Sequence, residues 1–401
     1  MIPLAKPNIN YEQLGLDLER IIKSGWWTMG KVTEQFEGEF AKYVGTKYAI
    51  ATSSCSMALI MAIRAGLDKK RCSGSPNDRI ITTPLTFVST INAIIFNGLQ
   101  PFLVDIRKET LNIDEEKVCD IVNEGGNKYS RCVGIVPVHF GGNPCNMDII
   151  NSLGDLVFVI QDCAHAVEAK WHGRRVGTYD DCSCFSLGPI KNIATPDMGV
   201  ITTNDEGIAQ QIRNWRCHGM SSDSFKRVSD HGQYDIADLG YKAHPTDISA
   251  SFALQELKNV RENWFRREEI VFEYNLFFHK MYDEGLFNGR VFPNYDAKFT
   301  EDLSQGNIHA FHLFQVTLNN RDDFIARMKN KDVYCGIHYK PIHLHSYYAR
   351  RFDWKRGHYP NAEWIGDHIV SLPLGPGMTS EDVAKVLECC EELLITRDYL
   401  L

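Results

Sequence analysis

Three short stretches of the chain carry residue types that could do chemistry together. Lys191 follows Cys184-Phe185-Ser186-Leu187-Gly188-Pro189-Ile190. A small strand and a Gly-Pro turn pin the backbone there. A lysine needs such a setting, with a lowered pKa, if its free amine is to attack a carbonyl and shuttle protons. Asp162 ends the apolar run Phe158-Val159-Ile160-Gln161. A carboxylate at the carboxyl end of a strand can hold a bound pyridine nitrogen protonated, so that the ring withdraws electrons. The third stretch, Ala51-Thr52-Ser53-Ser54-Cys55-Ser56-Met57-Ala58, sets small polar residues directly before an apolar helical pattern. Free N–H groups and the positive end of a helix dipole can cradle a phosphate at such a place, and the Ser186 hydroxyl could reach the same phosphate. Each stretch has an ordinary alternative. Asp162 could cap the next turn, Lys191 could be a solvated surface lysine, and Ser54 or Ser56 could be a plain helix cap.

Elements able to position these residues can be read around them. Arg79 to Thr83, Pro101 to Asp105, Val133 to Val138 and Leu156 to Asp162 are short Val- and Ile-rich runs bounded by turn residues, as buried strands are. Between them Ser56 to Ala65, Thr86 to Phe96, Asp114 to Asn123 and Met147 to Leu153 have amphipathic patterns. This alternation predicts an α/β fold, a mostly parallel sheet with helices on both faces. Ligands collect at the carboxyl ends of such strands, where Asp105, His139 and Asp162 fall. From Asp247 to Glu284 the sequence is one long helical stretch. Beyond it, Ala310 to Thr317 reads as a strand, and Asp322 to Lys331 and Thr379 to Thr396 read as helices. The last opens on the capping signal Thr379-Ser380-Glu381-Asp382. The expected organisation is a large α/β domain over residues 1–255 and a smaller α+β domain over 256–401. The polar run Ser221 to Ala237 reads as a mobile loop.

Composition narrows the partners. Of 401 residues, 44% are hydrophobic and 23% charged, the balance of a soluble globular chain long enough to bury its own core. The formal net charge of -8 argues against nucleic acid or an anionic membrane as the main partner. The twelve cysteines are scattered without a C-x-x-C pair or zinc spacing, so no metal is expected. The start, Met1-Ile2-Pro3-Leu4-Ala5-Lys6-Pro7, has no apolar leader core, and no apolar run approaches the ~18 residues of a membrane span. A reduced, cytoplasmic setting is the expectation.

The order of motifs along nearly the whole chain resembles the DegT/DnrJ/EryC1/StrS group of sugar aminotransferases. The resemblance runs from Gly30-Lys31-Val32-Thr33-Glu34-Gln35-Phe36-Glu37 through Ser54-Cys55-Ser56, Thr86-Phe87-Val88-Ser89-Thr90 and Val138-His139-Phe140-Gly141-Gly142. It continues through Gln161-Asp162-Cys163-Ala164-His165 and the lysine segment to Gly240-Tyr241-Lys242 with Thr246-Asp247, His338-Tyr339-Lys340-Pro341-Ile342-His343 and Ser371-Leu372-Pro373-Leu374-Gly375-Pro376. It implies the type I fold of pyridoxal-phosphate enzymes, with a seven-stranded sheet in the large domain. It also implies roles. Lys191 would carry pyridoxal 5'-phosphate as an imine and move the proton, with pyridoxamine 5'-phosphate as the alternate form. Asp162 would pair with the pyridine nitrogen, His165 would face the ring hydroxyl, and Phe87 would stack on the ring, unless it is a core phenylalanine. The backbone of Cys55 and Ser56, with the Ser186 hydroxyl, would hold the phosphate. Lys242 would reach the phosphate across a homodimer interface that shares the active sites. His338 and Tyr339 would lie near the mouth. Three positions depart from the pattern: Cys55 replaces a usual glycine, Thr195-Pro196-Asp197-Met198-Gly199 replaces a glycine-rich run, and His244 replaces a common arginine.

The expected activity is transfer of an amino group, from glutamate by family analogy, to a nucleoside-diphosphate 4-keto-6-deoxysugar. A dehydratase of the same fold is the nearest alternative, but there the lysine position holds histidine. A cofactor-binding regulator without turnover is the remote one.

Overall fold

A computed structural model describes the chain except for residues 71, 73, 125–130, 180, 221–233 and 296–301. The polar run expected to form a mobile loop lies outside the described residues as far as 233. The central sheet is built from β1 (Tyr48–Thr52), β2 (Arg79–Thr82), β3 (Gln100–Leu103), β4 (Cys132–Ile135) and β5 (Phe158–Asp162). A short hairpin follows, β6 (Lys170–Trp171) and β7 (Arg174–Arg175), and then β8 (Cys182–Ser186) and β9 (Gly199–Thr203) complete the sheet. Its seven strands run in the order β1-β9-β8-β5-β4-β2-β3. Every pairing is parallel except those of β9, which runs against both β1 and β8. This is the mostly parallel, helix-flanked seven-stranded sheet expected.

Alternation along the strands assigns the two faces. Ile50, Phe158 and Ile160 point into a core with helices Cys55–Lys69 and Glu206–Trp215. Ala49, Ala51 and Val200 face helix Lys31–Val44 and the start of helix Asp247–Asp283, while Val159 faces helices Glu115–Asn123 and Met147–Ser152. The strand that delivers Asp162 is fixed by shape. The Phe158 ring fills a slot that exists because Gly134 and Gly66 lack side chains: a Cβ on them would come within 2.3 and 2.7 Å of the ring.

A second sheet is antiparallel, β10 (Val291–Phe292), β11 (Phe314–Thr317) and β12 (Ile369–Leu372), in that order. The far half of the 37-residue helix Asp247–Asp283 packs on it with helices Arg321–Asn330 and Ser380–Leu394. The division expected at 255/256 falls inside that long helix. Ile2 also reaches into this second core, bonded to Asp332 and Tyr334 through its backbone at 2.7 and 3.0 Å. Thr379 and Asp382 cap each other's N–H groups at 3.1 and 3.2 Å, the reciprocal box legible in the sequence.

Among the elements that fall short of their expected bounds, two bear on the site. The Ala310 to Thr317 strand begins only at Phe314. Ala310 N–H bonds the Gly142 carbonyl and His312 N–H the Gly141 carbonyl, with Phe311 at φ 49, so the segment folds over those glycines instead of pairing. The helix expected from Thr86 begins at Val88, leaving Phe87 extended before its first turn.

Candidate active site

The site lies where β5 and β8 end side by side, with Asp162 in register with Cys184. Asp162 is buried. Thr90 donates its hydroxyl to Asp162 Oδ2 at 2.8 Å, and Ala164 N–H donates to Oδ1 at 3.1 Å. Thr90 in turn receives a hydroxyl hydrogen bond from Thr86 at 2.8 Å, because its own proton is committed to the carboxylate. Burial raises the Asp162 pKa; the two hydrogen bonds and the nearby Lys191 charge oppose that rise. The sequence alternative, a turn cap, is part of the truth: Ala164 N–H is capped. Each carboxylate oxygen thus has one donor, Thr90 on Oδ2 and Ala164 on Oδ1.

Lys191 follows β8 by five residues, its N–H closing a turn onto the Gly188 carbonyl at 3.0 Å. It is half-buried rather than solvated. Burial lowers its amine to about 8, against the opposing charges at Cys55 and Asp162. At pH 7 the free-amine fraction rises from a few in ten thousand at the ordinary pKa to about one in ten.

The phosphate turn follows β1. Ser54 is the cap of helix Cys55–Lys69, its hydroxyl accepting from Met57 N–H at 3.3 Å. The N–H groups of Cys55 and Ser56 stand in the first turn, where no intrahelical acceptor exists. Ser56 Oγ is 2.8 Å from Ser89 Oγ, tying this helix end to the one that bears Phe87. Gly199 backs the turn so closely that a Cβ there would sit 2.5 Å from Cys55 N. One glycine of the altered 195–199 run is therefore required by space, and Cys55 itself is accommodated with helical geometry.

His165 is buried between partners. Gly141 N–H donates to its Nδ1 at 3.2 Å, and its Nε2 lies 3.2 Å from Tyr339 Oη. Burial, then the charge of Lys191, hold it neutral by pushing its pKa far down. Phe87 is 55% exposed, which removes the core alternative, and lies 6.0 Å from Tyr339 between ring centroids. His338 is buried, its Nδ1 2.8 Å from Ser371 Oγ, whereas Tyr339 is half-buried between Phe87 and His165.

Other expected residues are elsewhere. Lys242 is exposed and no side-chain partner holds it among the described residues; only the backbone bond from Ser53 N–H to Ala243 O, at 2.7 Å, brings its segment beside the phosphate turn. Asp105 caps helix Pro360–His368 through Asn361 and Ala362 N–H groups at 2.9 and 3.0 Å. His139 is locked between Gln161 and Cys145 N–H at 2.9 and 3.0 Å. Neither belongs to the site.

Sequence reasoning missed His312, which stacks on His165 with centroids 4.3 Å apart, and missed Thr90 as the group that orients Asp162. Neither lies in a run that signals chemistry; His312 is an apparent strand residue, and Thr90 a helix threonine.

The residues present fit pyridoxal phosphate: a pKa-lowered lysine, a buried carboxylate one strand away, an exposed aromatic face and a helix N-terminus with unclaimed donors. The fold is that of the pyridoxal-phosphate enzymes of fold type I. Residues 9–391 match the model of the DegT/DnrJ/EryC1/StrS aminotransferase family, and the chain belongs to that family. It is 36% identical over 404 residues to the uncharacterized protein MJ1066 of Methanocaldococcus jannaschii, covering 98% of this chain and 97% of that one. It is 35% identical over 405 residues to the spore coat polysaccharide biosynthesis protein SpsC of Bacillus subtilis, with the same coverage. The crystal structure of S. venezuelae DesV in complex with a ketimine intermediate superposes with a TM-score of 0.83 at 25% identity, over 98% of each chain. No helix among the described residues is long and apolar enough to cross a membrane.

Proposed function

We propose that the protein moves an amino group from glutamate to a nucleotide-linked keto-sugar, a nucleoside-diphosphate 4-keto-6-deoxysugar. It would act in the cytoplasm as a homodimer with shared active sites. The observation that carries the reading is one pairing: a lysine amine lowered to about 8 by burial, beside a buried carboxylate on the adjacent strand end. Bound there, pyridoxal phosphate supplies the electron sink that lets a proton leave the donor's α-carbon.

The chain's own residues supply the rest. Asp162, oriented by Thr90 and Ala164, would pair with the ring nitrogen of the bound cofactor and keep it protonated. His165, neutral and with Nδ1 already accepting from Gly141, presents Nε2–H as a donor to the ring hydroxyl oxygen. Phe87 would stack on the ring, and Cys55 N–H, Ser56 N–H and the Ser186 hydroxyl would hold the phosphate. Lys242 would reach the phosphate from the partner subunit. Lys191 takes up and returns the proton, a task suited to an amine that titrates near neutrality.

The test is incubation of the purified protein with pyridoxal phosphate, glutamate and a panel of dTDP-, UDP- and GDP-4-keto-6-deoxysugars, read by mass spectrometry. An amino sugar nucleotide, with loss of the visible cofactor band on adding glutamate alone, is expected. A deoxygenated sugar would assign the dehydratase reading instead. No bound cofactor, or no product from any substrate, would sink the proposal.

A further inference from the structure

Behind His165 runs a buried polar chain that takes no part in the roles above. Arg267, on the long helix, donates Nη2 to Glu168 Oε1, and Glu168 Oε2 accepts from Asn192 Nδ2 at 2.7 Å. The second amide hydrogen of Asn192 goes to the Ala310 carbonyl at 2.9 Å. Asn192 Oδ1 is 2.8 Å from His312 Nδ1. All four side chains are buried.

The hydrogen inventory fixes the protons along this chain. Both amide hydrogens of Asn192 are committed to acceptors, so its oxygen is the atom that faces His312, and the imidazole must supply the proton, on Nδ1. Burial keeps His312 neutral, which leaves the proton on Nδ1 alone. His165 is the reverse case. Its Nδ1 accepts from Gly141, so its single proton sits on Nε2 and points to Tyr339 Oη. The two rings stack at 4.3 Å and 28°. Two neutral imidazoles of opposite tautomer, each set by a different partner, thus lie face to face. Their planes are coupled to an ion pair anchored on Arg267.

We propose that His312 is a positioning residue: pinned through Asn192 and Glu168 to Arg267, it is the shelf that holds the His165 ring with Nε2–H aimed at Tyr339. With the cofactor bound, the same Nε2–H would be the donor to its ring hydroxyl oxygen, the one step that rests on the function proposed above. His312 makes no contact with reacting atoms in this role. Its effect passes through His165.

The test has an arm that needs no cofactor. In cofactor-free protein labelled with nitrogen-15 at histidine, long-range proton–nitrogen spectra should show His312 protonated at Nδ1 and His165 at Nε2. His312→Ala should blur the His165 signals into a mixture of tautomers, and His312→Phe, which restores a flat ring without the proton, should recover most of the native pattern. Asn192→Ala should let the His312 proton redistribute between its nitrogens. If His312→Ala compromises folding, as judged by its thermal transition, the His312→Phe and Asn192→Ala spectra decide alone. With pyridoxal phosphate bound, the pH midpoint of the visible band should move by about one unit in His312→Ala, and by less in His312→Phe. Unchanged His165 signals in folded His312→Ala would overturn the proposal, as would an unchanged His312 tautomer in Asn192→Ala. Failure of every variant and of the wild type to bind the cofactor would instead overturn the function and leave the spectra to decide the shelf.

Discussion

The site has a floor and a rim, and they are built differently. On the floor, Asp162 and His165 are buried and each is held by at least two hydrogen-bond partners from its own chain. Their orientation is paid for by the core: Phe158 seated against two glycines, and the Arg267–Glu168 pair behind Asn192. On the rim, Phe87 and Lys242 are exposed, and the N–H groups of Cys55 and Ser56 stand in the first turn of helix Cys55–Lys69, without an intrahelical acceptor. The floor is complete in one chain. The rim is a set of donors and an aromatic face that become useful when a cofactor, and on our reading a second subunit, arrive. The difference implies that floor variants change chemistry or stability, whereas rim variants change how tightly the cofactor is held.

The sharpest way to break this comparison is Lys191→Ala. Activity should fall on the order of a thousandfold or more, as when a covalent group is removed, and the visible cofactor band should vanish while the thermal transition stays near wild type. The pH dependence carries a sign. Capture of pyridoxal phosphate by the cofactor-free enzyme uses the neutral amine, so its rate should climb about tenfold per pH unit below 8 and level off above it. A flat profile between pH 6 and 9 would show that Lys191 is not the titrating group.

Next in size is Arg267→Met. It leaves Glu168 buried with one hydrogen-bond donor fewer, a change that costs about 3–5 kcal/mol when a buried pair loses one partner. Chemical denaturation should report that loss, and the double variant with Glu168→Gln should recover part of it. A loss below about 1 kcal/mol would mean that the ion pair does not anchor the floor. Asp162→Asn should fold normally but lower kcat by about a hundredfold, the scale of removing one preorganised electrostatic partner, with little change in cofactor retention. A large loss of retention with kcat intact would move Asp162 from floor to rim.

The sequence made the proposed pair of Asp162 and Lys191 legible because each residue ends an element with a clear pattern: Asp162 a run of buried strand residues, Lys191 a strand and a Gly-Pro turn. The sheet was legible for the same reason, since short apolar runs between amphipathic helices have few other solutions. What orients the pair was not. Thr90 looks like any helix threonine, and its bond to Asp162 spans 72 positions of sequence. His312 sat inside an apparent strand, and only the backbone bonds to Gly141 and Gly142 show why that strand starts late. Asp105 and His139 misled in the opposite direction. They stand near strand ends as Asp162 does, yet one caps a helix and the other fills a polar core. Position near a strand end does not by itself make a site residue; the partners across the fold decide it.

The smallest expected effect tests the rim. Lys242 lacks a partner in its own chain among the described residues, so its removal should leave stability within about 0.5 kcal/mol of wild type. If it reaches the phosphate from a second subunit, Lys242→Ala removes one charge-assisted hydrogen bond to a solvent-facing group. Such a bond is worth more than an exposed ion pair and less than a buried one, so about 1 kcal/mol, or a fivefold weaker cofactor affinity, is expected. The loss should shrink as salt is added, because ions screen the exposed charge. Ser56→Ala, which leaves the N–H donors in place, should do less. Equilibrium dialysis of pyridoxal phosphate at two salt concentrations distinguishes the possibilities. An affinity unchanged in Lys242→Ala at low salt would remove Lys242 from the rim, and a salt-independent loss would show that its stem, rather than its charge, shapes the site.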